Sequence, residues 1–172
     1  MTEGAKADGG SLESFLEDWR ALRPDLEPVG FSIIMHIRRL NLMLARIIDG
    51  IAAEHDLNDS DVRLLMAIKR DRGQGPVRPS DLSERLNLTR ATITYRVDRF
   101  IELGLADRTA DPSDRRALFV KLTPKGEQVA AEIMTRFAEI YEARLEGVDG
   151  LPGGRASLEL YLRAMIAGFA GS

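Results

Sequence analysis

The sequence predicts a mainly α chain with one small β-hairpin, a helix-turn-helix followed by a wing, dimerised through its N- and C-terminal helices. Three observations predict it. Pro79-Ser80-Asp81-Leu82-Ser83-Glu84-Arg85-Leu86 and then Leu88 to Phe100 read as a short helix, a turn and a second helix. Directly after them, Asp107-Arg108 and Ala117-Leu118-Phe119-Val120-Lys121-Leu122 flank the charged run Asp111-Pro112-Ser113-Asp114-Arg115-Arg116, the pattern of a basic hairpin. Both ends of the chain carry long helical patterns too apolar for a monomer's surface.

Composition narrows the function classes. The 172 residues include no cysteine, which removes disulfides, thiol redox sensing and thiolate metal sites, and His36 and His55 are the only imidazoles. No metal and no cofactor is expected. The first ten residues lack an apolar run of the signal-peptide kind, and no stretch approaches the ~20 apolar residues of a membrane span. A cytoplasmic protein without a membrane partner is the expectation. Net charge is -3, yet the segment from Arg85 to Lys125 holds nine basic and five acidic residues, so it stands at +4 and the rest at -7. A local cationic footprint on an acidic body suits nucleic acid better than bulk charge does. No Ser/His/Asp grouping, phosphate-cradling glycine loop or metal-ligand spacing argues for an enzyme.

In order along the chain, residues 1–10 read as a solvated tail. Leu12, Phe15, Leu16 and Trp19 fall at i, i+3, i+4, i+7, an amphipathic helix that stops before Pro24. From Pro28 to His55, Ile33, Ile34, Ile37, Leu40, Leu44, Ile47, Ile48 and Ile51 repeat at threes and fours, with His36, Arg38 and Arg39 interrupting them. A helix so broadly apolar needs two partners, the DNA-binding core and a second subunit. Asn58 caps the next helix, with Asp61 three residues later as a short capping-box acid, and Val62, Leu64, Leu65 and Ile68 form its inner side. Arg70 to Pro76 is a loop, after which Ser80 is placed to cap the first helix of the helix-turn-helix.

Thr89 is the expected N-cap of the recognition helix. At ~100° per residue Ile93, Val97, Phe100 and Ile101 make its buried stripe, leaving Ala91, Thr94, Tyr95 and Asp98 outward with Arg99 beside them. Thr94 and Tyr95 suit base edges or phosphates, Arg99 a phosphate or a guanine, and Arg90 adds a donor near the helix start. Asp98 is expected to orient a neighbouring arginine. Arg96 lies between the outward face and the stripe. In the wing, Asp114 braces Arg116 for a narrow, electronegative minor groove, with Arg115 beside it. Thr123-Pro124 caps a long helix to about Leu145, residues 147–154 turn the chain, and Leu158 to Phe169 form the last helix. The organisation expected is a tail (1–10), N-terminal helices for dimerisation and ligand (11–57), the winged helix-turn-helix (58–123) and C-terminal dimerisation helices (124–172).

Asp111-Pro112-Ser113-Asp114-Arg115-Arg116, followed by Val120-Lys121-Leu122-Thr123-Pro124-Lys125-Gly126, resembles the MarR family of bacterial transcriptional regulators, over roughly residues 28–169. The resemblance implies a homodimer on a pseudo-palindromic double-stranded DNA operator, repression of transcription, and relief by a small aromatic or anionic effector. It makes Arg116, with Arg115, the minor-groove finger. A finer similarity is to the urate-responsive branch, with an extra N-terminal helix. Trp19 and the recognition-helix Arg96 match that branch's ligand contacts, and His36 and Arg39 are further candidates. Arg63 is read at the position of an aspartate used there, a reversal of charge that makes an aromatic carboxylate as fitting as urate. A winged-helix module that binds protein and not DNA is the alternative.

Overall fold

The computed structural model describes residues 9–70, 77–110 and 118–171, and side-chain burial from residue 14. The wing tip with Asp111, Asp114, Arg115 and Arg116 lies outside the described residues, as does most of the predicted loop before Val77. The chain divides into two compact units, 1–50 and 51–172.

In the first unit, α1 (Gly9–Leu22) and most of α2 (Val29–Ala53) are joined by a short connection. The i, i+3, i+4 spacing of α1 delivers Leu16 to a buried site. Trp19 stacks on Phe31 of α2 with ring centroids 5.0 Å apart, and Phe15 stacks on the same ring at 5.3 Å. This three-ring cluster supplies what a short helix lacks alone, since aromatic pairs add about 0.5–1.5 kcal/mol beyond area burial.

The second unit is the winged helix. Its elements are α3 (Asp59–Arg70), α4 (Pro79–Leu86), α5 (Arg90–Glu102), β1 (Ala106–Ala110), β2 (Leu118–Leu122), α6 (Pro124–Asp149) and α7 (Gly154–Ala170). β1 and β2 are antiparallel, in register from Ala106 opposite Leu122 to Ala110 opposite Leu118. Val77 adds an isolated bridge to Val120, a third short rung that the sequence pattern did not reveal. Leu64, Leu65, Leu82, Ile93, Val97, Phe100, Val120 and Ile133 are fully buried, so α3, α4, α5, α6 and the hairpin share one core.

Three boundaries differ from the sequence expectation. Ser80 does not cap α4. Arg78 is the N-cap residue, without a side-chain cap bond, and Pro79 takes the first turn, where its fixed φ and missing N–H carry no penalty. The Ser80 hydroxyl donates instead to Asp81 Oδ1 at 3.1 Å. Ile101, assigned to the buried stripe of α5, is 37% exposed, because the stripe is already filled by Ile93, Val97 and Phe100. α6 continues through Asp149, past the turn expected from Gly147, since a single glycine costs a helix only about 1 kcal/mol.

The junction of wing and α6 depends on one close approach. Thr123 caps α6 by accepting from the Gly126 N–H at 3.1 Å, and its own hydroxyl donates to the Gly104 carbonyl at 2.7 Å. Gly126 thereby passes so near the strand entry that a Cβ built on it would sit 2.0 Å from the Leu105 carbonyl oxygen. Gly126→Ala is expected to lower stability by about 1–3 kcal/mol, the usual cost of forcing atoms into a packed site. Gly147→Ala, in open space on the same helix, is expected to be neutral or stabilising. Urea unfolding midpoints of the two variants check the contrast.

Candidate nucleic-acid interface

The helix-turn-helix is closed by local chemistry. Asn87 ends α4 in the left-handed region (φ 51°), a conformation asparagine tolerates. The Leu88 N–H returns to the Ser83 carbonyl at 3.0 Å while the Ser83 hydroxyl donates to the Leu88 carbonyl at 2.5 Å. Thr89 then caps α5, accepting from the Thr92 N–H at 3.1 Å, as its place in the sequence predicts. With Ile93, Val97 and Phe100 buried beneath it, α5 turns Ala91, Thr94 and Tyr95 outward, and Tyr95 is 70% exposed. Arg90 is exposed in the first turn.

Asp98 does orient an arginine. Its carboxylate holds Arg108 of β1 at 2.6 Å, joining the outward side of α5 to the base of the wing. Arg108 is placed beside the recognition helix by that pair, a role for it that pattern reading missed.

Arg99 departs from its expected role. Its guanidinium donates to the Asp61 carboxylate and, from Nη2, to the Asp56 carbonyl at 2.5 Å. Arg96 donates to the other oxygen of Asp61 at 2.6 Å. Asp61 is fully buried and closes the capping box at the start of α3: the Asn58 N–H donates to it at 3.2 Å, and the Asp61 N–H donates to the Asn58 side chain at 3.0 Å. One carboxylate therefore serves two guanidiniums and a helix cap. Arg96 and Arg99 are three positions apart, about 60° around the helix, so both stand on the flank of α5 that faces α3. Arg99 is thus engaged with Asp61 and Asp56 in the free chain.

Arg63 is also corrected. Positions 61 and 63 lie about 200° apart on a helix, and Arg63 points to solvent, 67% exposed, paired with Asp59 at 2.9 Å. It does not join Arg96. The acid facing Arg96 is two residues earlier, at Asp61. A signal for this was present: Asp61, Leu64, Leu65 and Ile68 fall at i, i+3, i+4, i+7, so an acid heads the apolar stripe of α3.

The MarR family model matches residues 55–117. HTH-type transcriptional regulator PecS of Dickeya dadantii (strain 3937) is 24% identical over 128 residues, 74% of this chain and 77% of that protein. Multiple antibiotic resistance protein MarR of Salmonella typhimurium is 26% identical over 112 residues, 65% of this chain and 73% of that protein. The helix-turn-helix region of the chain, residues 55–117, is thus similar to the MarR family. A solved structure of a mutant MarR from E. coli complexed with operator DNA shares the fold, with a TM-score of 0.59 at 23% identity over 84% of this chain and 97% of that one.

The remaining candidates are placed as follows. Trp19 is half-buried in its stack with Phe31. His36 is exposed on α2, with Nδ1 against the Ser32 carbonyl at 2.8 Å, and Arg39 is half-buried on the same helix. Among the described residues no helix is long and apolar enough to cross a membrane.

Removing Asp61 leaves two guanidiniums facing one another across a buried site. Asp61→Ala is expected to cost about 3–5 kcal/mol, the range for breaking a buried ion pair from one side. Arg63→Ala, which loses only an exposed pair, is expected to cost no more than about 1 kcal/mol. Denaturant titration of both variants measures the difference.

Proposed function

We propose that the protein is a ligand-responsive transcriptional repressor that binds a pseudo-palindromic DNA operator as a homodimer. The observation that carries the reading is the recognition helix: capped by Thr89, buried along one side, and offering Ala91, Thr94 and Tyr95 to a groove-sized partner. Arg90 and the arginine pair Arg115 and Arg116 supply the flanking cations that suit phosphates and the minor groove. Similarity to the HTH-type transcriptional regulator PecS, and operator DNA on a structural relative, support the same reading.

The homodimer rests on apolar surface. Leu40, Leu42 and Met43 of α2 and Leu160, Tyr161, Ile166 and Phe169 of α7 are exposed in the single chain, and α7 contains no buried residue. Burying such faces at about 25 cal/mol per Å² is a strong drive to association. A second chain is the partner that the symmetry of a palindromic operator requires.

The effector reading rests on Trp19, His36, Arg39 and Arg96. Arg96 supports it with an unspent donor: Nε is buried and has no hydrogen-bond partner. Asp61 neutralises one of the two guanidiniums it holds, leaving a single positive charge at Arg96 and Arg99. That balance suits a monoanion, such as urate or an aromatic carboxylate, better than a polyanion.

Operator binding is expected to fall by orders of magnitude between low and moderate salt, and Arg116→Ala is expected to weaken it and flatten the salt slope by about 1. Binding that ignores salt and survives Arg116→Ala would favour a protein-binding module. Phe169→Glu is expected to shift the protein from dimer to monomer by light scattering. Titrating the operator complex with urate or salicylate is expected to release DNA from the wild type, and Trp19→Ala and Arg96→Lys are each expected to abolish the response. Release unchanged in both variants would discard this effector site.

A further inference from the structure

The face of α5 that would enter the groove carries no central cation. Of the three arginines along its body and start, Arg96 and Arg99 are held on the flank by buried Asp61. Arg90 stands in the first turn, one residue after the cap, where its long side chain suits a phosphate beside the groove. The acid on the outward side, Asp98, is neutralised by Arg108. What else points outward over the first two turns is a methyl group, a hydroxyl-bearing methyl and a ring: Ala91, Thr94 and Tyr95. Ala91 and Tyr95 are four positions apart and therefore neighbours on one face, with Thr94 beside them.

We propose that this protein reads its operator chiefly through thymine methyl groups, with Tyr95 as the main specificity-determining residue. The proposal rests on the operator-binding reading above and names the DNA chemistry it implies. In the major groove guanine offers two acceptors suited to an arginine fork, whereas thymine offers a C5-methyl suited to apolar contact. Freeing Arg99 to fork onto guanine would break its hydrogen bonds to the buried Asp61 carboxylate and to the Asp56 carbonyl, a loss that the exposed, solvated side chains at 91, 94 and 95 do not incur. A 70% exposed tyrosine ring has apolar area to bury. The cationic segment around it supplies affinity without sequence information, so the division of labour is phosphate binding by arginine and base reading by apolar contact.

The test uses a duplex selected from a random pool by the full-length protein, in which each thymine is replaced in turn by uracil, deleting only the methyl. At one or two steps in each half-site, wild-type affinity is expected to drop about fourfold, the equivalent of about 0.8 kcal/mol for one buried carbon. Tyr95→Phe is expected to keep that sensitivity and Tyr95→Ala to lose it. Replacing guanine by 7-deazaguanine at the same central steps is expected to change little. Uracil scanning without effect, or 7-deazaguanine losses that vanish in Arg99→Ala, would overturn the proposal while leaving operator binding in place. Failure of the selection to enrich any sequence would remove the operator reading itself.

Discussion

The buried carboxylate of Asp61 is the constraint on which the recognition helix depends. Isolated in a core it would be costly, and the fold offsets that cost with two guanidiniums, the Asn58 backbone N–H and a position at the head of α3. Because Arg96 and Arg99 both belong to α5, the same charge fixes the rotation of that helix about its own axis. Apolar packing of Ile93, Val97 and Phe100 sets which side is buried, but such packing alone tolerates small rotations. A forked pair of hydrogen-bonded guanidiniums is more directional. The outward presentation of Thr94 and Tyr95 is then a consequence of chemistry on the adjoining flank.

The clasp also ties the recognition helix to a second place, the Asp56 carbonyl that accepts from Arg99. Asp56 has φ 58° and lies in the turn between α2 and α3. The tilt of α5 is thus coupled to the end of the long helix, and on the other side Asp98 couples it to the wing through Arg108. Both links are charge-assisted hydrogen bonds. Such bonds are directional and respond to a competing charge. An anion that competes with Asp61 for Arg96 would act on that balance directly, through differential affinity for the clasped and unclasped arrangements.

Much of this was legible in the sequence because it is local. The caps at Thr89 and Thr123, the run of β-forming residues in β2 and the period of α5 each depend on neighbours a few residues away, and apart from Ile101 the residues named for them occupy those places. The ion pair of Arg99 was not legible because its partner is distant: Asp61 lies 38 positions earlier, and no helical angle reports on a charge across an interface. The acid of α3 was sought at position 63 when the apolar stripe of Leu64, Leu65 and Ile68 already included position 61. Ser80 was misread for a smaller reason, that Pro79 beside it is the better first-turn residue. The three-ring cluster of Phe15, Trp19 and Phe31 was half visible, since the helical spacing named the first two rings and the third lies on the next helix.

The division of α5 into a clasped flank and a reading face can be measured at the arginines themselves. Guanidinium nitrogen-proton NMR, assigned through Arg96→Lys and Arg99→Lys, distinguishes a side chain fixed by a buried carboxylate from one rotating in water. The account predicts slowly rotating Arg96 and Arg99 signals in the free protein, retained for Arg99 when saturating operator DNA is added. An Arg99 signal that rotates freely without DNA, or that leaves its Asp61-bound position when DNA binds, would contradict it.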